Sequence, residues 1–127
     1  MEGKRILLVE DNRLNREIAV ELLKMHGFFI DEAENGRIAV EMFASSAPEE
    51  YDCILMDIQM PVMDGYRAAE AIRALGRRDA KTVPILALTA NAFASDIGKA
   101  HCAGMNDHVA KPIEVERFME TLQRWIR

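Results

Sequence analysis

The sequence predicts an α/β fold of the (βα)5 kind: a doubly wound, parallel five-stranded sheet of order 2-1-3-4-5 with helices on both faces. Three observations predict it. Five short, nearly continuous apolar segments recur along the chain, stretches of helical period lie between them, and 127 residues make one domain. Unbroken hydrophobicity is what a parallel strand covered on both faces requires, and regular alternation of strand and helix produces right-handed crossover units. In such a sheet, ligands collect beyond the carboxyl ends of the strands, where the winding reverses between strands 1 and 3.

Strand 1 is expected over Arg5–Val9, followed by a helix with Leu14, Ile18, Leu22 and Met25 on one stripe, stopped by Gly27. That stripe is the expected core face, and glycine accepts the left-handed cap. Strand 2 is read over Phe28–Ala33, and Ala39, Met42 and Phe43 mark the second helix. After the polar stretch 45–50, of surface-loop length, strand 3 covers Cys53–Met56. A third helix bears Ala68, Ala71, Ile72 and Leu75 and ends at Gly76, before strand 4 over Pro84–Thr89. The fourth helix, about Ala94–Ala103 ahead of Gly104, contains Gly98, which costs about 1 kcal/mol relative to alanine. It is expected to be the loosest. Strand 5 is His108–Ala110, and Val115, Phe118, Met119, Leu122 and Ile126 form the stripe of the last helix. Asn35-Gly36 and Asp64-Gly65 precede helical rather than alternating patterns, so they read as strand-to-helix turns and not as hairpins.

Composition removes several function classes. With 50% hydrophobic and 29% charged residues the chain is an ordinary globular sequence, and its net charge of −5 opposes direct binding to a nucleic acid backbone. The longest apolar runs have four or five residues, far short of the roughly 20 that cross a bilayer, so no membrane contact is expected. Met1-Glu2-Gly3-Lys4 leads into strand 1 without the pattern of a secretion signal, which points to the cytoplasm. Cys53 and Cys102 are expected to be inert packing residues in a reducing compartment. No Gly-rich phosphate loop of nucleotide-binding type occurs.

The residues at the strand ends carry the chemistry: Glu10 and Asp11 after strand 1, Asp57 after strand 3, Thr89 at strand 4 and Lys111 after strand 5. Singly, each acid is an ordinary cap or loop residue. Together, Glu10, Asp11 and Asp57 converge at the switch point, where crowded carboxylates repel unless a cation is near. With Lys111 the formal charges sum to −2, which a divalent ion neutralises, and an all-oxygen donor set favours Mg²⁺. Lys111 and the Thr89 hydroxyl add a point charge and a donor on the other side.

These residues resemble the receiver domains of two-component response regulators over essentially the whole chain, 1–127. The match comprises Val9-Glu10-Asp11-Asn12, the run Leu55 to Gly65 with Asp57-Ile58-Gln59-Met60-Pro61, Leu88-Thr89-Ala90 and Lys111-Pro112, in that order. The resemblance implies a flavodoxin-like fold with Asp57 as phosphoacceptor. It implies further that Glu10, Asp11, Asp57 and the backbone carbonyl of Gln59 hold Mg²⁺, that Lys111 pairs with the acceptor, and that Thr89 is the switch hydroxyl. A phosphohistidine of a histidine kinase or histidine phosphotransfer domain is the implied donor. The implied behaviour is that of a switch with at most slow self-phosphorylation and hydrolysis, mostly monomeric, with phosphorylation-linked dimerisation compatible with it. Asn12 to Arg16 and Leu88 to Ala92 further resemble receivers of hybrid sensor histidine kinases, the expected context. A stand-alone regulator and a non-phosphorylated interaction module are the alternatives. An aspartyl phosphatase is disfavoured because Gln59 stands where its second acid would.

His108 departs from the Tyr or Phe common in receivers three residues before the lysine, which leaves an aromatic toggle in doubt. His26 and His101 read as ordinary helix residues, and no paired spacing supports zinc. The resemblance implies that Gln59 and Asn91 flank the acceptor, and Met60 and Met63 are candidates to edge a docking surface. Leu14, Asn15, Ile18 and Pro112-Ile113 are candidates to receive a helix bearing the donor histidine, although core packing is the default for Leu14 and Ile18.

Overall fold

The computed structural model describes residues 3–90 and 94–125. Strands β1 (Arg5–Val9), β2 (Phe29–Ala33), β3 (Cys53–Asp57), β4 (Ile85–Thr89) and β5 (Asp107–Ala110) form one sheet of order β2-β1-β3-β4-β5. All four pairings are parallel, as the alternation predicts. Helices α1 (Arg13–Met25), α2 (Gly36–Ser45), α3 (Gly65–Arg73), α4 (Arg78–Thr82), α5 (Ala94–Cys102) and α6 (Val115–Trp125) connect and cover the strands.

The strands alternate their side chains between two apolar layers. Ile6 and Leu8 of β1 pack with Ala19, Val20 and Leu23 of α1 and with Phe118 and Leu122 of α6. Leu7 and Val9 turn the other way, onto Ala39 and Phe43 of α2 and Ala68 and Ile72 of α3. Fully burying a side chain such as Phe118 or Leu122 stabilises the fold by roughly 1.5–3 kcal/mol. Phe28 closes the first layer edge-on against Phe118, with ring centroids 5.8 Å apart.

Several expectations need correction. β2 and β4 each begin one residue later than expected, and β5 begins one residue earlier, at Asp107. β3 runs one residue further and takes in Asp57. The stripe Leu14, Ile18, Leu22 and Met25 is not the core face of α1: Leu14, Ile18 and Met25 are exposed, and Ala19, Val20 and Leu23 are buried. One residue is a rotation of about 100° on a helix, and the flat sheet takes the face with the smaller side chains. α3 ends at Arg73 with Ala74 as its cap, ahead of Gly76, whereas Gly27 and Gly104 do adopt positive φ, 87° and 99°. Helix α4 was not expected; five residues with only Ala80 buried are too few to show a period. Asn35 and Asp64 are N-caps of α2 and α3, so both Gly turns lead from strand to helix as expected. Cys53 is buried, but Cys102 is exposed on the last turn of α5 and does not pack. Ile126 lies outside the described residues.

Candidate functional site

The register of the sheet builds the site. Val9 pairs with Met56, so one step further along each strand sets Glu10 level with Asp57. Asp57 pairs with Leu88, Thr89 pairs with Ala110, and the Lys111 N–H donates to the Thr89 carbonyl at 2.9 Å. The ends of four strands therefore stay level, and the first polar side chain of each meets at one rim.

Glu10 and Asp57 are the buried charged residues among those described, 3% and 4% exposed, while Asp11 stands in solvent. One carboxylate oxygen from each of the three lies within 4.8 Å of the others. The Lys111 ammonium sits 2.8 Å from Asp57 Oδ2 and 3.0 Å from Glu10 Oε2. The remaining oxygens are also served: the Gln59 N–H donates to Asp57 Oδ1 at 3.2 Å, and the Asn12 N–H donates to Glu10 Oε1 at 3.1 Å. Thr89 is half-buried and lines the same cleft, of about 290 Å³, as do Asp11 and Gln59. Asn91 lies outside the described residues.

The electrostatics follow from this crowding. Burial pushes the Glu10 carboxyl above the usual carboxylate range, the hydrogen bond from Lys111 pulls the other way, and the Asp57 charge adds to the rise. Burial alone would lower the Lys111 ammonium, but the hydrogen bonds to Asp57 and Glu10 outweigh it and hold the lysine above its ordinary value. One ammonium thus answers two buried carboxylates and leaves a net negative pocket. Three convergent carboxylates, with neither thiolate nor imidazole among them, suit a hard divalent ion of the Mg²⁺ type. The residues present fit that group.

Local sequence keeps the rim in place. Asn12 caps α1 by accepting from the Asn15 N–H at 3.0 Å, and Asp64 caps α3 by accepting from the Arg67 N–H at 2.8 Å. The Gly65 N–H donates to the Ile58 carbonyl at 2.9 Å, closing the loop after Asp57. A Cβ at Gly65 would drive into the Asp57 carbonyl, so glycine lets α3 start against the end of β3. Met60 and Met63 are half-buried and pack against the core below this loop. Arg16 is a residue the sequence reading did not single out: its Nη1 donates to the Glu10 carbonyl at 2.8 Å.

Beside the cleft runs a more apolar groove of about 300 Å³, lined by Ile18, Ala19, Leu22, Pro112 and Ile113, which shares Glu10, Asn15, Leu88 and Lys111 with the site. Leu14, 65% exposed, extends the apolar surface on the same helix. The Lys111–Pro112 peptide at its edge is cis. His108 is half-buried, with Nδ1 3.5 Å from Asp107 Oδ1, and His26 Nδ1 lies 2.9 Å from the Leu22 carbonyl at the end of α1.

A doubly wound α/β domain with an acid triplet and a lysine at its switch point is thereby defined. Known proteins place it: the profile of the response regulator receiver domain matches residues 6–123, and the chain belongs to that family. The two-component response regulator ORR41 of Oryza sativa subsp. japonica is 42% identical over 116 residues, covering 90% of this chain and 87% of the relative. Other curated relatives are far longer, one of them a hybrid signal transduction histidine kinase, and the chain spans 17% and 7% of the length of two of them. Among solved structures, the receiver domain of sensor histidine kinase PA1611 from Pseudomonas aeruginosa PAO1, with magnesium coordinated in its active site cleft, superposes with a TM-score of 0.85. It is 41% identical, with 97% of each chain covered. The Ssk1 receiver domain of Saccharomyces cerevisiae, in complex with the histidine phosphotransfer protein Ypd1, gives 0.85 at 31% identity, covering 98% of this chain and 89% of that one. No helix among the described residues is long and apolar enough to cross a membrane.

Proposed function

We propose that this receiver domain accepts a phosphoryl group from a phosphohistidine onto Asp57 in a Mg²⁺-dependent step, and that the switch so set is read by a partner. The carrying observation is Asp57 itself: a buried carboxylate with Lys111 on one oxygen, Gln59 N–H on the other, and Glu10 and Asp11 beside it. An Asp57 oxygen attacks phosphorus as the P–N bond to the donor imidazole breaks, and the electron pair leaves with the ring nitrogen. Lys111 balances charge on the phosphoryl oxygens, and the Thr89 hydroxyl, from the cleft lining, would donate to one of them. Bound by Glu10, Asp11, Asp57 and the Gln59 carbonyl, Mg²⁺ would supply charge neutralisation as a Lewis acid. The protein's part is position and charge, which suits an acceptor with slow self-phosphorylation and slow hydrolysis rather than a turnover enzyme.

The groove over Ile18, Leu22, Pro112 and Ile113 opens onto the same cleft, so an amphipathic helix laid there brings its histidine to Asp57. A histidine phosphotransfer domain or kinase helix is the reading this supports, alongside the complex formed by the Ssk1 receiver. Likeness to hybrid signal transduction histidine kinases and to the receiver domain of a sensor histidine kinase supports a receiver of the hybrid sensor kinase type. Helix α5 and the turn up to Gly104 are the element that moves: Gly98 weakens the helix, and among the described residues nothing lies within 4 Å of where its Cβ would be.

Beryllofluoride titration with and without Mg²⁺, followed by amide exchange over residues 94–104, tests the reading. Protection is expected to change only when both ligands are present and to be lost in Asp57→Asn. A response that survives that substitution refutes the acceptor, and unchanged exchange refutes the moving segment.

A further inference from the structure

Arg16 lies in the first turn of α1 with its side chain 16% exposed. Its Nη1 donates to the Glu10 backbone carbonyl at 2.8 Å, and its Nε donates to Glu32 Oε1 at 3.2 Å. Glu32 belongs to β2 and pairs in register with Leu8, while the Glu10 N–H donates to the Ala33 carbonyl at 3.1 Å. One guanidinium therefore ties the start of α1, the end of β1 and the edge strand together at the residue where the acid pocket begins.

We infer that Arg16 is a positioning residue for the metal pocket, acting through the Glu10–Asp11 peptide. This rests on the proposal that the pocket takes Mg²⁺. The peptide unit is planar, so holding the Glu10 carbonyl also fixes the plane that carries the Asp11 N–H and Cα, the point from which the Asp11 side chain leaves. Asp11 needs such help. It is exposed and has no side-chain hydrogen bond of its own among the described residues, whereas Glu10 and Asp57 are each held by two donors. Were its Cα free to shift, binding the ion would also have to order that backbone, and the affinity would fall by that cost. Arg16 is suited to the task because its fork donates to two oxygens at once in fixed geometry. Glu32 takes up the charge of the guanidinium, which would otherwise repel a divalent cation at the adjacent pocket.

Electrostatics and positioning predict opposite signs. Removing a cation next to a metal pocket tightens Mg²⁺ binding if charge alone matters and weakens it if Arg16 presets Asp11. Calorimetric Mg²⁺ titrations of the wild-type chain, Arg16→Gln, Arg16→Lys and Glu32→Gln, each with thermal denaturation in EDTA, read this directly. Outer ligands of this kind are worth about tenfold or more in affinity, so Arg16→Gln is expected to weaken Mg²⁺ binding about tenfold. Arg16→Lys, which keeps the charge but not the fork, should recover part of the loss, and Glu32→Gln should show a smaller weakening. Faster amide exchange at Asp11 in the metal-free variants is the accompanying signature. Equal or tighter binding in Arg16→Gln overturns the inference, as does a lower melting temperature with an unchanged Mg²⁺ constant. If Arg16→Gln does not fold, wild-type affinity in both Arg16→Lys and Glu32→Gln overturns it. A wild-type chain that binds no Mg²⁺ removes the functional reading as well, whereas wild-type binding with unaffected variants removes this inference alone.

Discussion

The Lys111 ammonium lies 2.8 Å from Asp57 Oδ2, and the same nitrogen reaches Glu10 Oε2 at 3.0 Å. In the metal-free chain one lysine compensates two buried carboxylates. Lys111→Met leaves both without a cation and is expected to cost about 2 kcal/mol, below the full value for a buried pair because the lysine side chain is 25% exposed. Mg²⁺ should restore much of this. Urea denaturation with and without the ion is the check; an equal loss in both conditions would contradict a shared counter-charge role.

Asp11 is the acid of the triplet with no ammonium beside it. Asp11→Asn removes repulsion without removing a partner, so metal-free stability is expected to rise by about 0.5–1 kcal/mol while Mg²⁺ affinity falls at least tenfold. The two effects have opposite signs in one variant. A fall in both would show that Asp11 supports the loop rather than the ion.

Val62 has φ of 69° and is 74% exposed, in the loop after Asp57, where the Met63 N–H donates to the Pro61 carbonyl at 2.7 Å. This is a γ-turn with a β-branched residue in the left-handed region, an arrangement that stores strain. Val62→Gly is expected to stabilise the chain by about 1 kcal/mol with Mg²⁺ affinity unchanged. Destabilisation on denaturation would mean the valine makes contacts that outweigh its backbone.

Gly98 sits inside α5, and among the described residues nothing lies within 4 Å of the position its Cβ would take. Packing therefore gives no reason for glycine there. Gly98→Ala should add about 0.5–1 kcal/mol and reduce the beryllofluoride-induced change in amide exchange over 97–104. An unchanged exchange response in a stabilised variant would separate the helix from the switch.

Tyr51 donates to Asp31 Oδ2 at 2.8 Å, and burial first, then that hydrogen bond, raises its phenol above the ordinary 10.0. The fold holds a proton that the unfolded chain loses, so this contribution is complete below about pH 10 and is lost as pH rises beyond it. Lys111, raised above 10.5, acts in the same direction at slightly higher pH. Tyr51→Phe should be less stable at neutral pH by about 1 kcal/mol, with the difference shrinking as the buffer is made alkaline. Urea midpoints at a series of pH values test this; a constant difference would refute the linkage.

The alternation of strands and helices and the polar residues at the strand ends were legible because they rest on local pattern. Asp57 and Glu10 each follow an unbroken apolar run, and Lys111 follows the short segment His108–Ala110, on strands that alternation places on one sheet. The face of α1 was not legible. Leu14 and Ile18 compete with Ala19, Val20 and Leu23 for the core, and spacing alone does not say which face meets a sheet that takes the small residues. Arg16 was invisible for another reason: one of its partners is a backbone carbonyl, the other a side chain sixteen residues away on another strand.

What the chain determined by itself is therefore the order of elements and the residue types delivered to the strand ends, since periodicity and apolar runs are properties of neighbours along the backbone. What the tertiary structure decided is which atoms meet there: the Lys111 ammonium between two carboxylates, the Arg16 fork on the Glu10 carbonyl, and Leu14 and Ile18 turned to solvent beside the cleft. Such contacts depend on helix rotation and strand register to within an ångström, and close packing of the sheet against its helices sets both.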